Sequence, residues 1–257
     1  MPAKPLVKNL GCQVKSHYNY YCNGTLVNGR HNVNPDKHNE CVILLHGLIR
    51  TNRSMLKIEK ALNAVGYKVY NCSYPSRKQA IELLSETVID AAIRHCRKNF
   101  QPDRIHFVTH SMGGILIRFY LAQHDIEHLG RVVMLAPPNA GTELVDRLSG
   151  LKLFTLIYGP AASQLGTDAS SLPKSLGPVD YEVGIIAGNR SLNLLYSALI
   201  PGENDGKVST RNTRLEGMAD FIVLPYAHSF MMNRPRVIEQ TLNFLEQGCF
   251  DHSEPLK

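Results

Sequence analysis

The pentapeptide Thr109-His110-Ser111-Met112-Gly113 decides how the rest of this sequence is interpreted. It follows an apolar run at residues 105–108 and precedes a helical pattern at residues 115–123. A strand, a tight turn with a serine at its apex and then a helix is the layout of a nucleophile elbow. In that layout the helix directs its free N–H groups toward whatever the serine attacks. The same pentapeptide also fits an ordinary strand-to-helix turn with no catalytic role. It departs from the G-x-S-x-G pattern at Thr109, which stands in place of the first glycine.

Apolar strand patterns alternate with helical patterns along most of the chain. The strand patterns occupy residues 41–45, 68–72, 105–108, 131–135, 181–187 and 221–224. The helical patterns occupy residues 54–65, 79–98, 115–123 and 236–247. Continuous apolar runs are typical of parallel strands that are covered on both faces. The sequence therefore predicts an α/β fold with a doubly wound, mostly parallel sheet, whose functional loops lie at the carboxyl ends of the strands.

We expect one folded domain at residues 41–250, because no linker, repeat or low-complexity tract interrupts it. Residues 1–40 form a polar N-terminal segment that is not a separate domain, with turn signals at Asn23-Gly24 and Asn28-Gly29. Residues 251–257 are a polar tail. Residues 142–178 separate two strands and are long for a plain crossover, so they form a possible cap.

Composition argues against several classes of protein. Hydrophobic residues make up 44% and charged residues 19%, as in a globular domain. The net charge is +6, but Lys and Arg form no stripe interleaved with aromatic residues, so we expect no nucleic-acid partner. We expect no transmembrane segment, which needs roughly 18 apolar residues, and no signal peptide. We expect a cytoplasmic protein; peripheral contact with an anionic membrane and the oligomeric state stay open.

A serine nucleophile needs a base within hydrogen-bond reach, and the base needs an orienting acid. His228 directly follows the strand pattern at residues 221–224, and Asp205 lies in the loop after the pattern at residues 181–187. With Ser111 they occur in the chain order serine, acid, histidine, which is the order found in α/β-hydrolases. The sequence thus offers a complete set of candidate catalytic residues.

Other roles for the acid and the histidine stay open. Residues 204–206 also suit a β-turn, in which Asp205 would only shape the turn. Glu203 is an alternative acid, whereas Asp180 and Asp220 are less favoured because they precede strand patterns. The histidine after the last strand could also merely cap the next helix.

The tripeptide His46-Gly47-Leu48 directly follows the first strong strand pattern. A hydrolase must stabilise the oxyanion of a tetrahedral intermediate, and oriented backbone N–H groups do this well. The expected donors are the N–H of Leu48 and the N–H of Met112, and Gly47 would let the backbone approach closely. The same tripeptide also suits a simple turn.

Metal chemistry is the rival use of histidine in this sequence. His106 and His110 have the H-x-x-x-H spacing, which on a helix would bring two imidazoles to one metal ion. On a strand their Cα atoms are about 13 Å apart at roughly 3.3 Å per residue, so they cannot share an ion. We predict no metal and no cofactor. His110 then either lines a pocket beside Ser111 or belongs to the core.

These motifs together resemble those of the α/β-hydrolase superfamily, over about residues 41–250. Within it, the sequence is most similar to the bacterial lipase/esterase group that also contains relatives of the GPI-inositol deacylases. The resemblance rests on LLHGL at 44–48, VTHSMGG at 108–114, LAPPNAG at 135–141, DGKV at 205–208 and LPYAH at 224–228.

The resemblance implies a serine carboxylesterase or lipase that works through an acyl-enzyme without a cofactor. Ser111 would be the nucleophile, His228 the general base and Asp205 the orienting acid. Leu48 and Met112 match the positions of the oxyanion hole. Thr109 departs from the glycine of the pattern, but relatives tolerate other residues there.

The expected substrate is a small-molecule or lipid ester with a lipophilic acyl group. Substrate contacts are expected at His46, Gly47, His110, Phe154 and Tyr158. The apolar density of residues 142–178 favours a cap that holds an acyl chain, although an amphipathic crossover helix packed on the sheet explains the same pattern.

Alternatives from other functional classes remain at this point. A thioesterase or an acyltransferase would use the same three residues. A non-catalytic binding module on this fold would have lost one of them, and none is lost. Arg50 and Arg53, after the oxyanion turn, suit either an anionic head group or an ordinary solvated surface.

Overall fold

The computed structural model describes residues 18–22, 25–29, 39–150 and 152–253. Within these residues the strands are β1 (Tyr18–Cys22), β2 (Thr25–Gly29), β3 (Glu40–Leu45), β4 (Lys68–Asn71), β5 (Arg104–His110), β6 (Leu129–Leu135), β7 (Val183–Gly188) and β8 (Asp220–Leu224). The helices are α1 (Leu56–Ala64), α2 (Ile81–Phe100), α3 (Met112–Leu121), α4 (Glu143–Leu148), α5 (Lys152–Tyr158), α6 (Pro160–Ser163), α7 (Leu172–Ser175), α8 (Leu194–Ala198), α9 (Thr210–Thr213) and α10 (Pro235–Gln247).

Strands β3 to β8 form one sheet in the order β4-β3-β5-β6-β7-β8. All neighbouring strands in it are parallel. The predicted doubly wound, parallel sheet is therefore confirmed. Because parallel strands end at the same edge, the loops after β3, β5, β7 and β8 leave from one side of the molecule. These loops carry the candidate site residues.

Helices cover both faces of the sheet, because successive strand residues point to opposite faces. In β3, Val42 and Leu44 pack on one face with side chains of α1 and α10. Ile43 and Leu45 pack on the other face with side chains of α2 and α3. All four are fully buried. A continuous apolar run in the sequence thus corresponds to a strand with two covered faces.

The predicted helices differ from the structure by up to three residues at their ends. The helix predicted at residues 54–65 begins as a 3-10 turn, Asn52–Met55, and continues as α1. Such turns are frequent at helix N-termini. The helix predicted to begin at residue 115 begins at Met112, because Ser111 alone makes the turn after β5. This difference matters for function, since it puts the helix N-terminus directly beside the serine.

The N-terminal segment contains an antiparallel hairpin that the sequence analysis did not predict. Tyr18 pairs with Gly29, and Cys22 pairs with Thr25. The turn predicted at Asn28-Gly29 is wrong, because both residues lie in β2 and pair with β1. The turn predicted at Asn23-Gly24 lies outside the described residues. A membrane-spanning helix is not found in the part of the chain that the structure describes.

Candidate active site

Ser111 lies between β5 and α3, at the carboxyl edge of the sheet. Its backbone has φ 55° and ψ −123°, which non-glycine residues rarely adopt and which is found at strained functional turns. The Ser111 N–H donates to the Leu135 carbonyl at 2.8 Å, and the Gly114 N–H donates to the Ser111 carbonyl at 2.9 Å. The strand, turn and helix that the pentapeptide predicts are present, and these hydrogen bonds fix the turn.

The close packing of the turn explains its small residues. A Cβ atom at Gly113 would lie 2.7 Å from the Leu45 carbonyl oxygen, so only glycine lets α3 approach the end of β3 this closely. Thr109 is fully buried, and its hydroxyl makes a long hydrogen bond of 3.5 Å to the Val133 carbonyl. A threonine therefore fits in β5 where the usual pattern has glycine.

His228 connects Ser111 to Asp205. Its Nε2 lies 2.9 Å from Ser111 Oγ, and its Nδ1 lies 2.7 Å from Asp205 Oδ2. Because Nδ1–H donates to the carboxylate, Nε2 has a free lone pair to accept the serine proton. Asp205 and His228 are buried, whereas Ser111 is partly exposed. The three side chains therefore have the geometry that general-base activation of a serine requires.

Backbone groups hold Asp205 in the correct orientation. Its Oδ1 accepts hydrogen bonds from the N–H of Lys207 at 2.9 Å and of Val208 at 2.8 Å. This leaves Oδ2 for His228, whose own N–H donates to the Asp205 carbonyl at 3.0 Å. Asp205 thus shapes its turn and contacts the histidine at once, two roles that the sequence presented as alternatives.

The other candidate acids lie elsewhere. Glu203 and Asp180 are exposed. Asp220 accepts hydrogen bonds from the N–H of Phe221 at 2.7 Å and of Phe250 at 2.6 Å, at the opposite end of β8 from the loop that carries the histidine. Of the four acids considered, the structure brings Asp205 to His228.

His46 supports the turn after β3. Its buried ring stacks on Tyr74 with 3.9 Å between ring centroids. Its Nδ1 donates to the Gly47 carbonyl at 2.9 Å, and the Tyr74 hydroxyl donates to the His46 carbonyl. Burial lowers the pKa of His46, which keeps the ring neutral. The contacts described for His46 are structural, and its predicted substrate contact stays a prediction.

The turn after β3 lies directly against the serine. A Cβ atom at Gly47 would lie 3.1 Å from Ser111 Cβ, so the glycine allows the backbone of this turn to approach Ser111 closely. Gly47 is not among the residues that line the pocket beside Ser111. Ile49 has φ 59°, which is strained for a β-branched residue. Its N–H donates to Ser76 Oγ at 3.1 Å. Ser76 thus helps to hold a strained turn beside the serine.

Two backbone N–H groups near Ser111 are candidates for the oxyanion hole. In the part of the chain that the structure describes, the N–H of Leu48 makes no hydrogen bond. Met112 is the first residue of α3, so its N–H has no acceptor within the helix. The Leu48 side chain borders the pocket beside Ser111, whereas the Met112 side chain is buried in the core.

His110 lies beside His228. Its Nε2 donates to the His228 carbonyl at 3.0 Å, and the two rings are 4.9 Å apart. Burial, and then the neighbouring His228, hold the pKa of His110 well below its usual range. A neutral His110 therefore lines the pocket and fixes the backbone of His228.

An apolar pocket, here called the main pocket, opens beside Ser111 and His228. It has about 750 Å³ of empty space, a volume that includes its open mouth and the solvent there. Much of its wall comes from the 142–178 segment: Leu144, Leu148, Phe154, Tyr158, Ala162 and Leu165. The rings of Phe154 and Tyr158 stack with centroids 4.7 Å apart. His110, Phe154 and Tyr158, three of the five predicted substrate contacts, therefore line this pocket.

A second cavity, here called the side groove, continues from the other side of His228. Its polar lining includes Ser191, Asn193, Lys207 and Ser229. Tyr196, Lys207 and His228 line both cavities. Ser111 thus borders the apolar main pocket, and His228 borders both the main pocket and the side groove.

Several residues of the site were missed by the sequence analysis. Tyr74 and Ser76 come from the loop after β4 and Tyr196 from the short helix α8; none of them belongs to a recognisable motif, so no sequence signal identifies them. Lys207 could have been found, because it lies in the DGKV motif directly after Asp205. Its proximity to the pocket follows only from the fold of that loop.

The two spaced histidines have separate environments. His106 accepts a hydrogen bond from the Arg131 N–H at 2.8 Å and lies 3.3 Å from Glu40, away from His110. Among the described residues, no group of three or more His, Cys, Asp or Glu side chains could hold a metal ion.

Comparison with solved structures identifies the fold. The lipase BlEst2 of Bacillus licheniformis in its propeptide form gives a TM-score of 0.67 at 18% identity, over 87% of this chain and 54% of that chain. The carboxyl esterase MGS0156 from a metagenome gives 0.64 at 17% identity, over 82% and 76%. The phospholipase PlaB of Legionella pneumophila gives 0.62 at 20% identity, over 79% and 57%.

The chain has the α/β-hydrolase fold. It spans about half the length of the BlEst2 propeptide form and of PlaB. No protein-family model matches the sequence, and no curated protein matches it either. At these identities the similarity concerns the fold, so the activity is argued from the site itself.

Proposed function

We propose that this protein is a serine hydrolase that cleaves carboxylic esters through an acyl-enzyme intermediate. One observation carries the proposal: Ser111 Oγ lies 2.9 Å from His228 Nε2, and Asp205 Oδ2 lies 2.7 Å from His228 Nδ1. A serine at a strained turn, a base in reach and an oriented acid form the arrangement that acyl transfer needs.

In the proposed reaction, Ser111 Oγ forms a bond to the ester carbonyl carbon while its proton passes to His228 Nε2. The tetrahedral intermediate then collapses, the bond to the alcohol breaks, and the alcohol leaves with the proton from His228. Water attacks the acyl-enzyme in the same way and releases the carboxylic acid. Asp205 stabilises the imidazolium that forms twice in this cycle.

The N–H groups of Leu48 and Met112 form the proposed oxyanion hole. They flank Ser111 from the turn after β3 and from the first residue of α3. Such donors are effective because they need no reorientation as the negative charge develops. Losing one donor of this type typically costs about 10²–10³ in rate.

The main pocket supports a lipophilic acyl group as the preferred substrate part. Its wall from the 142–178 segment is apolar, so an acyl chain in it would be removed from water. In this proposal residues 142–178 are a cap over the acyl chain, with Phe154 and Tyr158 in contact with it.

Exposed apolar side chains near the cavities support a lipid or amphiphilic ester and peripheral membrane contact. Ile49, which lines the main pocket, is 45% exposed; Leu192 and Phe230, which line the side groove, are 72% and 47% exposed. Helix α8 adds Leu194 and Leu195, each 80% exposed. Clustered exposed apolar side chains commonly mark interaction surfaces.

Hydrolysis of p-nitrophenyl esters with short to long acyl chains tests the proposal. The wild type should hydrolyse the series with a preference for medium or long chains, and the Ser111→Ala variant should be inactive. Ser253→Ala, at an exposed serine, is the matched control. Equal activity of the wild type and Ser111→Ala would refute the serine mechanism. Acyl-CoA substrates and added alcohols or amines would identify a thioesterase or an acyltransferase, the alternatives with the same three residues.

A further inference from the structure

Two positively charged side chains, Lys207 and Arg50, lie beside the reacting groups. Lys207 lines both the main pocket and the side groove, next to His228. Arg50 lines the main pocket and follows the turn that carries Leu48. Both side chains are half-buried, so they are not simply part of the solvated surface.

The acidic groups at the site do not neutralise this pair. In the described part of the chain, neither Lys207 nor Arg50 forms an ion pair. Arg50 donates to the Ser229 carbonyl at 3.2 Å, which is an uncharged partner. Asp205 is the one carboxylate among the residues described as lining the two cavities. Its Oδ2 is bound to His228, and its Oδ1 accepts two backbone N–H groups.

The two cations affect each other and the buried histidine next to Ser111. Burial, and then the nearby Arg50, lower the pKa of Lys207, while Asp205 opposes the shift. Both cations also contribute to the lowered pKa of His110, which is adjacent to Ser111. Two positive charges in the wall of one cavity repel each other, and a bound anion would offset this repulsion.

The side groove is the part of the site that the alcohol would occupy. The acyl chain has an apolar cavity in the main pocket, and the leaving alcohol must take its proton from His228. The side groove begins at His228 and has the polar lining of Ser191, Asn193 and Lys207. An anionic group on the alcohol would therefore meet Lys207, and Arg50 in the wall of the main pocket would add to the attraction.

We infer that the substrates of this site are esters whose alcohol part carries a carboxylate or phosphate group, bound by Lys207 with the support of Arg50. The inference rests on the proposed ester hydrolysis and specifies its substrate class. Lys207 and Arg50 are specificity-determining residues in this account, because they bind the substrate and take no part in bond making.

Three esters with the same acyl group and closely similar phenols test the inference: 3-(hexanoyloxy)benzoate, its neutral methyl ester, and 3-(hexanoyloxy)phenyl phosphate. The measured quantity is the ratio of kcat/KM for each anionic ester to that for the neutral ester. We expect this ratio to fall about tenfold or more in Lys207→Met, as for loss of a hydrogen bond to a charged group. Lys207→Arg should retain most of the ratio.

Lys98→Met is the matched control, because it removes the same charge from an exposed position in α2. It should leave the ratio unchanged. A Lys207→Met ratio equal to that of the wild type would overturn the inference, even if both rates fell, since a merely structural lysine would affect the three esters alike. A fall confined to one anionic ester would identify carboxylate or phosphate as the recognised group.

A binding measurement separates failure of the inference from failure of the proposed function. If the wild type hydrolyses none of the esters, the proposed function fails in this form. Calorimetric binding of the ether 3-(hexyloxy)benzoate then tests the anion site alone. Binding at least about tenfold weaker in Lys207→Met supports the site, because a charged hydrogen bond is lost. Equal binding, or no binding to the wild type, overturns it.

Discussion

Replacing Asp205 by asparagine tests the hydrogen-bond chain from the acid to the serine. The N–H groups of Lys207 and Val208 need an acceptor at the Oδ1 position, so the amide oxygen of the new side chain would occupy it. Its NH₂ group would then face His228 Nδ1 at the position of Oδ2, which now lies 2.7 Å away.

This orientation has a large expected cost for catalysis. An NH₂ group opposite Nδ1 favours the tautomer of His228 with its proton on Nε2, and that tautomer cannot accept the Ser111 proton. The substitution also removes the negative charge that stabilises the imidazolium. A change of this kind lowers kcat by about 10⁴, or about 5.4 kcal/mol of activation free energy.

The assay is hydrolysis of p-nitrophenyl hexanoate near neutral pH, with urea denaturation to confirm folding. Glu203→Gln and Asp180→Asn are matched controls at the two exposed acids, and both should retain wild-type activity. A folded Asp205→Asn variant that loses less than about tenfold in kcat would refute the reasoning.

Three further predictions concern packing, pH and chain length. Gly113→Ala should lower the free energy of unfolding by about 1–3 kcal/mol through overpacking, because its Cβ would meet a carbonyl oxygen at 2.7 Å. Urea denaturation measures this loss. It should show no such loss for Gly150→Ala, where a Cβ meets nothing within 4 Å. Burial holds the pKa of His110 well below its usual range, so below about pH 6.5 the unfolded chain binds a proton that the folded chain does not, and stability is lost as pH falls. From this group the free energy of unfolding should fall by about 1.4 kcal/mol per pH unit. Urea denaturation across this pH range measures that slope, and equal slopes for His110→Gln and the wild type would contradict the prediction. Phe154→Ala should raise kcat/KM for long-chain p-nitrophenyl esters about tenfold relative to the butyrate ester, because it lengthens the main pocket, whereas an unchanged chain-length profile would oppose its placement there.

The sheet was predictable from sequence because its signal is local. Residues 41–45 form a continuous apolar run, and the two faces of β3 are both covered in the structure. The positions of Ser111 and His228, directly after strand patterns, follow from the same signal, since parallel strands end at one edge.

The sequence favours Asp205 as the acid, but the physical distinction between Asp205 and Glu203 depends on contacts made in the folded loop. Glu203 and Asp205 are two residues apart, and both suit the sequence pattern. Only Asp205 has its carboxylate oriented by the N–H groups of Lys207 and Val208 toward His228. A tertiary arrangement of backbone donors makes the distinction.

Two other differences have the same origin. The stacking of the His46 ring on Tyr74 was not predicted, because Tyr74 is 28 positions away and no motif links the two residues. Asn28-Gly29 was expected to be a turn, but pairing with β1 makes it part of a strand. The domain limits, a cytoplasmic location and the similarity to GPI-inositol deacylase relatives stay predictions.

The central claim is that His228 activates Ser111 as the nucleophile, and covalent labelling tests it most directly. The protein is treated with an alkyl fluorophosphonate, and its intact mass and peptides are measured by mass spectrometry. The account predicts one adduct, located on Ser111, absent from Ser111→Ala and strongly slowed in His228→Ala. A folded wild-type protein that gains no adduct, or gains it at another residue while Ser111 stays unmodified, would contradict the account.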